Sequence, residues 1–159
     1  MQLTQIFMAR RGPGGWYAIG TFLLDRACLG VKNAFGRITD EAEYLTVWHH
    51  ISQTDRFVET NPDLVAKLVR ESIRYADKLG FRPNPDLPQA LAVLGPANPD
   101  ACPEDIPMGG PEGKPFFIAG PYDNVAKILA KLEAAVGRGH FHYLLPASPD
   151  IMAEVEDED

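Results

Sequence analysis

Residues 3–25 read LTQIFMARRGPGGWYAIGTFLLD and carry the pattern on which the fold assignment rests. Residues 3–9 and 16–24 are rich in β-branched and aromatic side chains, and each stretch favours a strand. The intervening residues 10–15, RRGPGG, contain the glycines and the proline that form turns. This part of the chain therefore predicts a β-hairpin with a longer loop.

A third strand and two helices are predicted after the hairpin. Residues 28–36 have the composition of a strand, and Gly20 and Gly30 within the strands indicate bulges or close backbone approach. Asp40 and Glu43 form a capping-box pattern, which indicates that a helix begins there.

The second helix carries the clearest boundary signals in the chain. Asn61 is a preferred N-cap residue, Pro62 fits the first helical position, and Asp63 complements the helix dipole. Gly80 then ends the helix, with a proline beyond it.

Residues 81–115 contain nine prolines, and most of this segment is predicted to be irregular. A short helix is predicted over residues 88–94. Long loops are uncommon inside compact domains, and prolines lower the entropy that is lost when such a loop is ordered. The segment is therefore interpreted as a wrapped, semi-rigid, Pro-rich loop.

The last part of the sequence predicts a β-α-β unit. Residues 116–119 favour a short buried strand, Asp123 is the predicted cap of a helix, and residues 140–145 favour a final strand. The resulting fold class is α+β, a two-layer sandwich with the order βββαα, long Pro-rich loop, βαβ. Residues 1–150 are expected to form one domain, and residues 151–159 a disordered acidic tail.

Composition places the chain among ordinary globular proteins. Of its 159 residues, 45% are hydrophobic and 23% are charged, so neither a disulfide nor a structural metal is needed for folding. Cys28 and Cys102 are far apart, and no signal-peptide pattern precedes the first strand, which favours reduced thiols and a cytoplasmic location. No apolar run approaches the roughly 20 residues that a membrane helix requires.

Charge is distributed unevenly along this chain of net charge −7. Arg10 and Arg11 lie beside flexible glycines and Trp16, a combination that can contact phosphates and stack on bases. Lys32 extends this patch if the third strand lies alongside. The acidic run at residues 154–159 is either a solubilising tail or an intramolecular competitor that covers the basic hairpin.

His140 and His142 are the candidate metal ligands. Residues two apart on a strand point to the same face, so both imidazoles could reach one ion. A third ligand would have to come from elsewhere, such as His49, His50, Asp25 or Cys28, and no spacing selects any of them. The alternative is a pair of surface or capping histidines at the start of a strand.

Two further sequence features carry weaker chemical signals. Cys28 has Arg26 and Lys32 nearby as a source of positive charge, but no histidine is placed to act as its base, and a buried hydrophobic role is the alternative. The loop at residues 12–15 is rich in glycine but lacks the lysine and hydroxyl of a phosphate-binding loop. No cofactor is therefore predicted.

Three phrases of the sequence carry a resemblance. They are LGVKNAF at residues 29–35, YADKLGF at 75–81, and GKPFF at 113–117 running into GPYD at 120–123. Together they resemble a set of uncharacterised bacterial single-domain proteins. The resemblance implies a bacterial source and no particular activity.

The function predicted from these observations is that of a non-catalytic binding or accessory module for a protein or nucleic-acid partner. The proposed binding residues are Arg10, Arg11, Trp16 and Lys32. The alternatives are a small metal-dependent hydrolase that uses the His-x-His pair and a structural component of a larger assembly. No membrane partner is predicted, and the sequence leaves the oligomeric state open.

Overall fold

A meander of three antiparallel strands forms the larger sheet of the protein. The computed structural model describes residues 3–54 and 57–146. Strands β1 (Leu3–Arg11), β2 (Tyr17–Asp25) and β3 (Gly30–Thr39) pair in the order β1-β2-β3. The predicted hairpin and third strand are confirmed, with strand ends shifted by a few residues.

Three helices follow the sheet in the chain, and the second and third of them cover one of its faces. They are α1 (Glu41–Thr54), α2 (Pro62–Lys78) and α3 (Leu87–Leu94). Helices α2 and α3 pack on the sheet because their apolar residues and every second strand residue form one core. Its buried members are Ile6, Phe22, Leu24, Val31, Ala34, Val65, Ala66, Val69, Leu87, Ala90 and Leu94.

Helix α1 lies against the opposite face of the sheet. The ring of Trp48 stacks on Phe7 with centroids 6.2 Å apart, and that of Tyr44 stacks on Tyr17 at 4.2 Å. Phe7 is adjacent to Ile6, which belongs to the core under α2 and α3, and successive strand residues point to opposite faces. The first helix therefore covers the face that α2 and α3 leave open.

The predicted β-α-β unit is confirmed, with two local corrections. Strands β4 (Phe116–Ile118) and β5 (His142–Leu144) are parallel, and α4 (Val125–Val136) connects them. The final strand is shorter than residues 140–145. The cap of α4 is Asn124, whose side chain accepts a hydrogen bond from the backbone N of Lys127, and not Asp123.

A second core joins this unit to the rest of the protein. It contains Cys28 from the β2–β3 turn, Phe117 from β4, Leu132 from α4 and the end of α2 with the residues that follow it. The buried residues from that last region are Ala76, Leu79 and Phe81. The backbone N of Phe116 also donates to the carbonyl of Ala27 at 3.0 Å, so the small sheet is fixed to the β2–β3 turn.

The Pro-rich segment is attached to the outside of α2 by polar side chains. The backbone N of Asn98 donates to Asp63 at 2.8 Å, and Nη1 of Arg70 donates to Asp100 at 2.6 Å. Lys67 donates to the carbonyl oxygen of Cys102 at 3.1 Å. These contacts give the segment a defined path. It includes α3 and the 3-10 turns Pro99–Ala101 and Pro111–Gly113.

The fold is therefore α+β, and its element order follows the one predicted from the sequence. Within residues 3–54 and 57–146, no helix has both the length and the apolar character needed to cross a membrane. The predicted acidic tail at residues 151–159 lies outside the described residues.

Candidate binding cleft

A cleft of about 470 Å³ lies where the start of β3, the segment after α2 and the N-terminal half of α4 meet. It is called the basic cleft below. Its volume is in the range of small-ligand sites. The lining residues are Leu29, Val31, Lys32, Phe81, Arg82, Pro83, Asn84, Pro85, Asp123, Lys127, Ile128 and Lys131.

Hydrogen bonds hold the three walls of the basic cleft together. The backbone N of Asn84 donates to the carbonyl of Val31 at 3.1 Å, which fixes the segment after α2 along the edge of β3. On the other side, Nζ of Lys131 donates to the carbonyl of Gly80 at 3.0 Å, which links α4 to the same segment. The cleft is thus built by packed elements rather than by a free loop.

A β-bulge gives Lys32 its position at the cleft. In the β2–β3 pairing Leu23 lies opposite Asn33, but Leu24 lies opposite Val31, so Lys32 is the extra residue. A bulge of this kind redirects a side chain that regular alternation would place elsewhere. Val31 remains in the core while the Nζ of Lys32 lies 3.8 Å from Oδ2 of Asp123 in the cleft.

Gly30 begins the bulged strand because no other residue fits there. Its φ is +73°, in the left-handed region, and a Cβ at this position would lie 2.6 Å from the Cβ of Ala76. The sequence prediction of close backbone approach at Gly30 is therefore confirmed. The same is true of Gly20, where a Cβ would lie 3.1 Å from that of Val93.

Positive charge predominates in the basic cleft although the chain as a whole is acidic. Among the described residues, the lining includes four cationic side chains, Lys32, Arg82, Lys127 and Lys131, and one carboxylate, that of Asp123. Within the described part of the chain, Arg82 and Lys127 form neither an ion pair nor a side-chain hydrogen bond. These two cations are therefore available to a ligand.

A buried carboxylate stabilises the turn next to the cleft. Asp25 is only 5% exposed, and its side chain accepts hydrogen bonds from the backbone N atoms of Ala27, Cys28 and Leu29 at 3.0 to 3.2 Å. Burial raises the pKa of Asp25, while these hydrogen bonds and the charge of Lys32 oppose the rise. Asp25 therefore organises the turn that precedes the bulge.

Two titratable groups near Asp25, the thiol of Cys28 and the hydroxyl of Tyr75, are protonated at neutral pH. Burial, reinforced by the charges of Asp25 and Asp123, raises the pKa of the Cys28 thiol to about 12. Burial likewise raises the pKa of Tyr75 to about 12. A fully buried thiol with such a pKa does not supply a thiolate nucleophile, and Cys28 instead packs as a core residue.

The structure separates the binding residues that were predicted from the sequence. Arg10, Arg11 and Trp16 lie together at the hairpin end of the sheet, all exposed. Arg10 pairs with Ala18, and Ala18 pairs with Ile38, six residues along β3 from Lys32. At about 3.3 Å per residue this is roughly 20 Å, so Lys32 does not extend the hairpin patch.

The two candidate metal ligands do not share a strand. His142 lies on β5 with Nε2 3.6 Å from Oε2 of Glu112, whereas His140 is exposed in the turn before β5. His49 and His50 lie on α1. Among the residues that the structure describes, no three His, Cys, Asp or Glu side chains converge in a way that could hold a metal ion.

Sequence reasoning missed Arg82, Lys127 and Lys131 as functional candidates. Lys127 and Lys131 are four residues apart on a predicted helix and so share a face, which is a signal that the sequence contains. The sequence does not show that this face lies opposite Lys32 and Arg82, because that depends on how α4 packs.

Neither a protein-family model, nor a curated protein, nor a solved structure matches this chain. The resemblance to uncharacterised bacterial proteins stays a prediction.

Proposed function

We propose that this protein is a non-catalytic binding module that holds an acidic peptide segment of a protein partner in the basic cleft. The observation that carries the proposal is that two cations on the walls of a partly apolar cleft, Arg82 and Lys127, have no ion pair among the residues that the structure describes.

The composition of the cleft supports a ligand that is both acidic and apolar. Its apolar lining comes from leucine, valine, isoleucine, phenylalanine and proline side chains, and four cations surround this surface. Carboxylates pair with the cations, and apolar side chains gain free energy when they are removed from water. A peptide that alternates acidic and apolar residues provides both kinds of group.

The same lining supports binding rather than catalysis. Among the described residues that line the cleft, none is a His, Cys, Ser, Thr or Tyr. Asp123 is the one carboxylate among them, and it is held by Lys32 and by the backbone N of Gly120 at 2.7 Å. The described lining residues therefore provide no hydroxyl, thiol or imidazole group, and their one carboxylate is already paired.

A peptide fits the cleft better than a single-stranded nucleic acid does. Nucleic-acid grooves of that kind stack bases on exposed aromatic rings. Phe81 is the aromatic residue of the cleft lining, but it is only 7% exposed, and Nζ of Lys131 lies 5.6 Å from its ring centroid. Its ring is thus already covered.

The test is a binding titration with a fluorescent ten-residue peptide that alternates Glu and Val. The double variant Arg82→Glu, Lys127→Glu removes two attractive charges and adds two repulsive ones. We expect it to bind the peptide about tenfold more weakly than the wild type at low salt. The double variant Arg10→Glu, Arg11→Glu is the matched control, with the same change of charge at the other end of the sheet, and should retain wild-type affinity.

Three outcomes would contradict the proposal. The first is equal peptide binding by the wild type and the Arg82, Lys127 variant. The second is no peptide binding at low salt, either by the wild type or by a chain in which the carboxylates of residues 154–159 are neutralised. The third is cleft-dependent binding of a twelve-nucleotide oligothymidylate that is tighter than binding of the peptide, which would assign the cleft to nucleic acid.

The hairpin is the second candidate site. Trp16 is 54% exposed beside Arg10 and Arg11, and neither arginine has an ion pair in the part of the chain that the structure describes. We propose nucleic acid as its ligand, because cations next to an exposed aromatic ring can contact phosphates and stack on bases. Loss of oligothymidylate binding in the Arg10, Arg11 variant alone would support this second function. Retained binding in that variant would contradict it.

A further inference from the structure

The chain leaves its last strand next to the basic cleft. Strands β4 and β5 are parallel, so their carboxyl ends lie at the same edge of the small sheet. At this edge the backbone N of Ala119 donates to the carbonyl of Leu144 at 2.9 Å. Gly120, the next residue, donates to Asp123, which contacts Lys32 in the cleft.

The residues beyond this point have the chemistry of the proposed ligand. Residues 150–159 read DIMAEVEDED, with six carboxylates and three large apolar side chains, and there is no Lys or Arg after Arg138. Glu154 is ten positions after Leu144, a distance along the chain that an extended backbone can stretch to about 33 Å. The acidic residues are thus within reach of the cleft.

We propose that residues 150–159 are an intramolecular ligand of the basic cleft and compete there with the acidic segment of the partner. This inference rests on the proposed function, because it assigns the regulation of the same site. Tethering through a short linker gives an effective concentration on the order of mM, so even a weak contact competes with a free ligand.

The basic cleft is a better site for this segment than the basic hairpin. Arg10 and Arg11 lie at the end of the three-stranded sheet remote from Lys32. The cleft, by contrast, lies beside the edge where β5 ends. We therefore keep the prediction that the acidic segment is an intramolecular competitor, but we assign its binding site to the cleft instead of the hairpin.

The first test compares the wild type with a variant of the same length in which five carboxylates of residues 154–159 are neutralised. Its substitutions are Glu154→Gln, Glu156→Gln, Asp157→Asn, Glu158→Gln and Asp159→Asn. We expect this variant to bind the Glu-Val peptide about fivefold more tightly than the wild type at low salt. When Arg82→Glu and Lys127→Glu are added to both chains, the difference should disappear.

A second measurement does not depend on any partner. Lys127 is exposed on α4, and occupation of the cleft by the acidic segment should slow its acetylation. We expect Lys127 to be acetylated several-fold faster in the neutralised variant than in the wild type, as measured by mass spectrometry. Lys114, which precedes the opposite end of β4, should react at the same rate in both and is the control.

The outcomes separate the two proposals. Equal acetylation rates of Lys127 in the two chains would overturn the intramolecular ligand. Equal peptide affinity of the two chains would also overturn it, while the loss of binding in the Arg82, Lys127 variant would leave the proposed function standing. Slower acetylation of Lys127 in the wild type, without peptide binding by either the wild type or the neutralised variant, would support the intramolecular contact and remove the proposed function.

Discussion

Nζ of Lys32 lies 3.8 Å from Oδ2 of Asp123, and this ion pair spans the junction between the larger sheet and the β4-α4-β5 unit. The bulge in β3 supplies the cation, and the loop before α4 supplies the carboxylate. The pair has two consequences for the cleft: it positions one wall against the other, and it neutralises one of the four cations.

Replacement of Asp123 by Asn should strengthen the binding of acidic ligands. The change leaves the charge of Lys32 uncompensated, and the amide oxygen of Asn can still accept the hydrogen bond from Gly120. We expect the Glu-Val peptide to bind about threefold more tightly at low salt, with the gain lost at about 0.5 M salt because screening is then strong. Fluorescence anisotropy measures the affinity.

The control for this change is Asp100→Asn, which removes a carboxylate paired with Arg70 outside the cleft lining. Affinity that rises equally in both variants would indicate an effect of net charge alone. Unchanged affinity in Asp123→Asn would show that Lys32 does not contribute to binding.

The buried carboxyl of Asp25 should make stability depend on pH. Burial raises its pKa above the usual value of 3.8, so the folded state holds the proton more tightly than the unfolded chain does. Its contribution to stability is complete below pH 3.8 and is lost as the pH rises through the folded-state pKa. The free energy of unfolding of the wild type, measured relative to that of Asp25→Asn, should therefore fall as the pH is raised across this window.

Urea unfolding followed by circular dichroism at several pH values measures that difference. The absolute cost of Asp25→Asn should be about 1–3 kcal/mol, because the amide group cannot accept the hydrogen bond from Leu29. Asp86→Asn removes an exposed carboxylate and is the control. A difference between the wild type and Asp25→Asn that does not vary with pH would contradict the prediction.

Glycine at position 36 is required by the contact between β3 and α3. A Cβ at Gly36 would overlap the carbonyl oxygen of Gln89 and lie 2.7 Å from the backbone N of Ala90. These backbone atoms cannot move without displacing the helix, so Gly36→Ala should destabilise the protein by about 1–3 kcal/mol.

Gly20→Ala is the matched comparison. A Cβ there would lie 3.1 Å from the Cβ of Val93, and a displacement of α3 by a few tenths of an ångström at Val93 would relieve the contact. We expect Gly20→Ala to lower the free energy of unfolding by less than Gly36→Ala does, by about 1 kcal/mol at most. Equal losses in the two variants, measured by chemical denaturation, would show that α3 adjusts at both positions alike.

The thiol of Cys28 should be unreactive in the folded protein. Its side chain has no exposed surface, and its pKa is raised from 9.0 to about 12. This shift lowers the thiolate fraction near pH 8 by roughly a thousandfold. In a Cys102→Ala chain, iodoacetamide should label Cys28 only after denaturation. Labelling of the native protein at the rate of the unfolded chain would contradict the assignment of Cys28 to the core.

Much of the secondary structure follows from local sequence signals, because its causes are local. Asp40 was predicted to cap α1, and its side chain accepts a hydrogen bond from the backbone N of Glu43 at 2.8 Å. Asn61 was predicted to cap α2, and it accepts one from the backbone N of Asp63 at 2.7 Å. In each pair the two residues are at most three positions apart in the chain, so their contact follows from the local sequence.

The cap of α4 shows where local prediction fails. Both Asp123 and Asn124 can cap a helix, and the sequence alone favoured Asp123. In the structure Asn124 is the cap, while Asp123 accepts a hydrogen bond from Gly120 and contacts Lys32. Lys32 is 91 residues away in the sequence, so the choice between the two caps depends on a long-range contact.

The element order, the turns and most of the helix boundaries follow from apolar periodicity, glycine and proline positions and capping residues, which can all be read along the chain. That Lys32, Arg82 and Lys127 line one cleft while Arg10 and Arg11 lie elsewhere depends on the folded arrangement. This arrangement arises because the second core packs α4 against the β2–β3 turn and the end of α2. The relative positions of charges on separate elements follow from that packing, which no local pattern encodes.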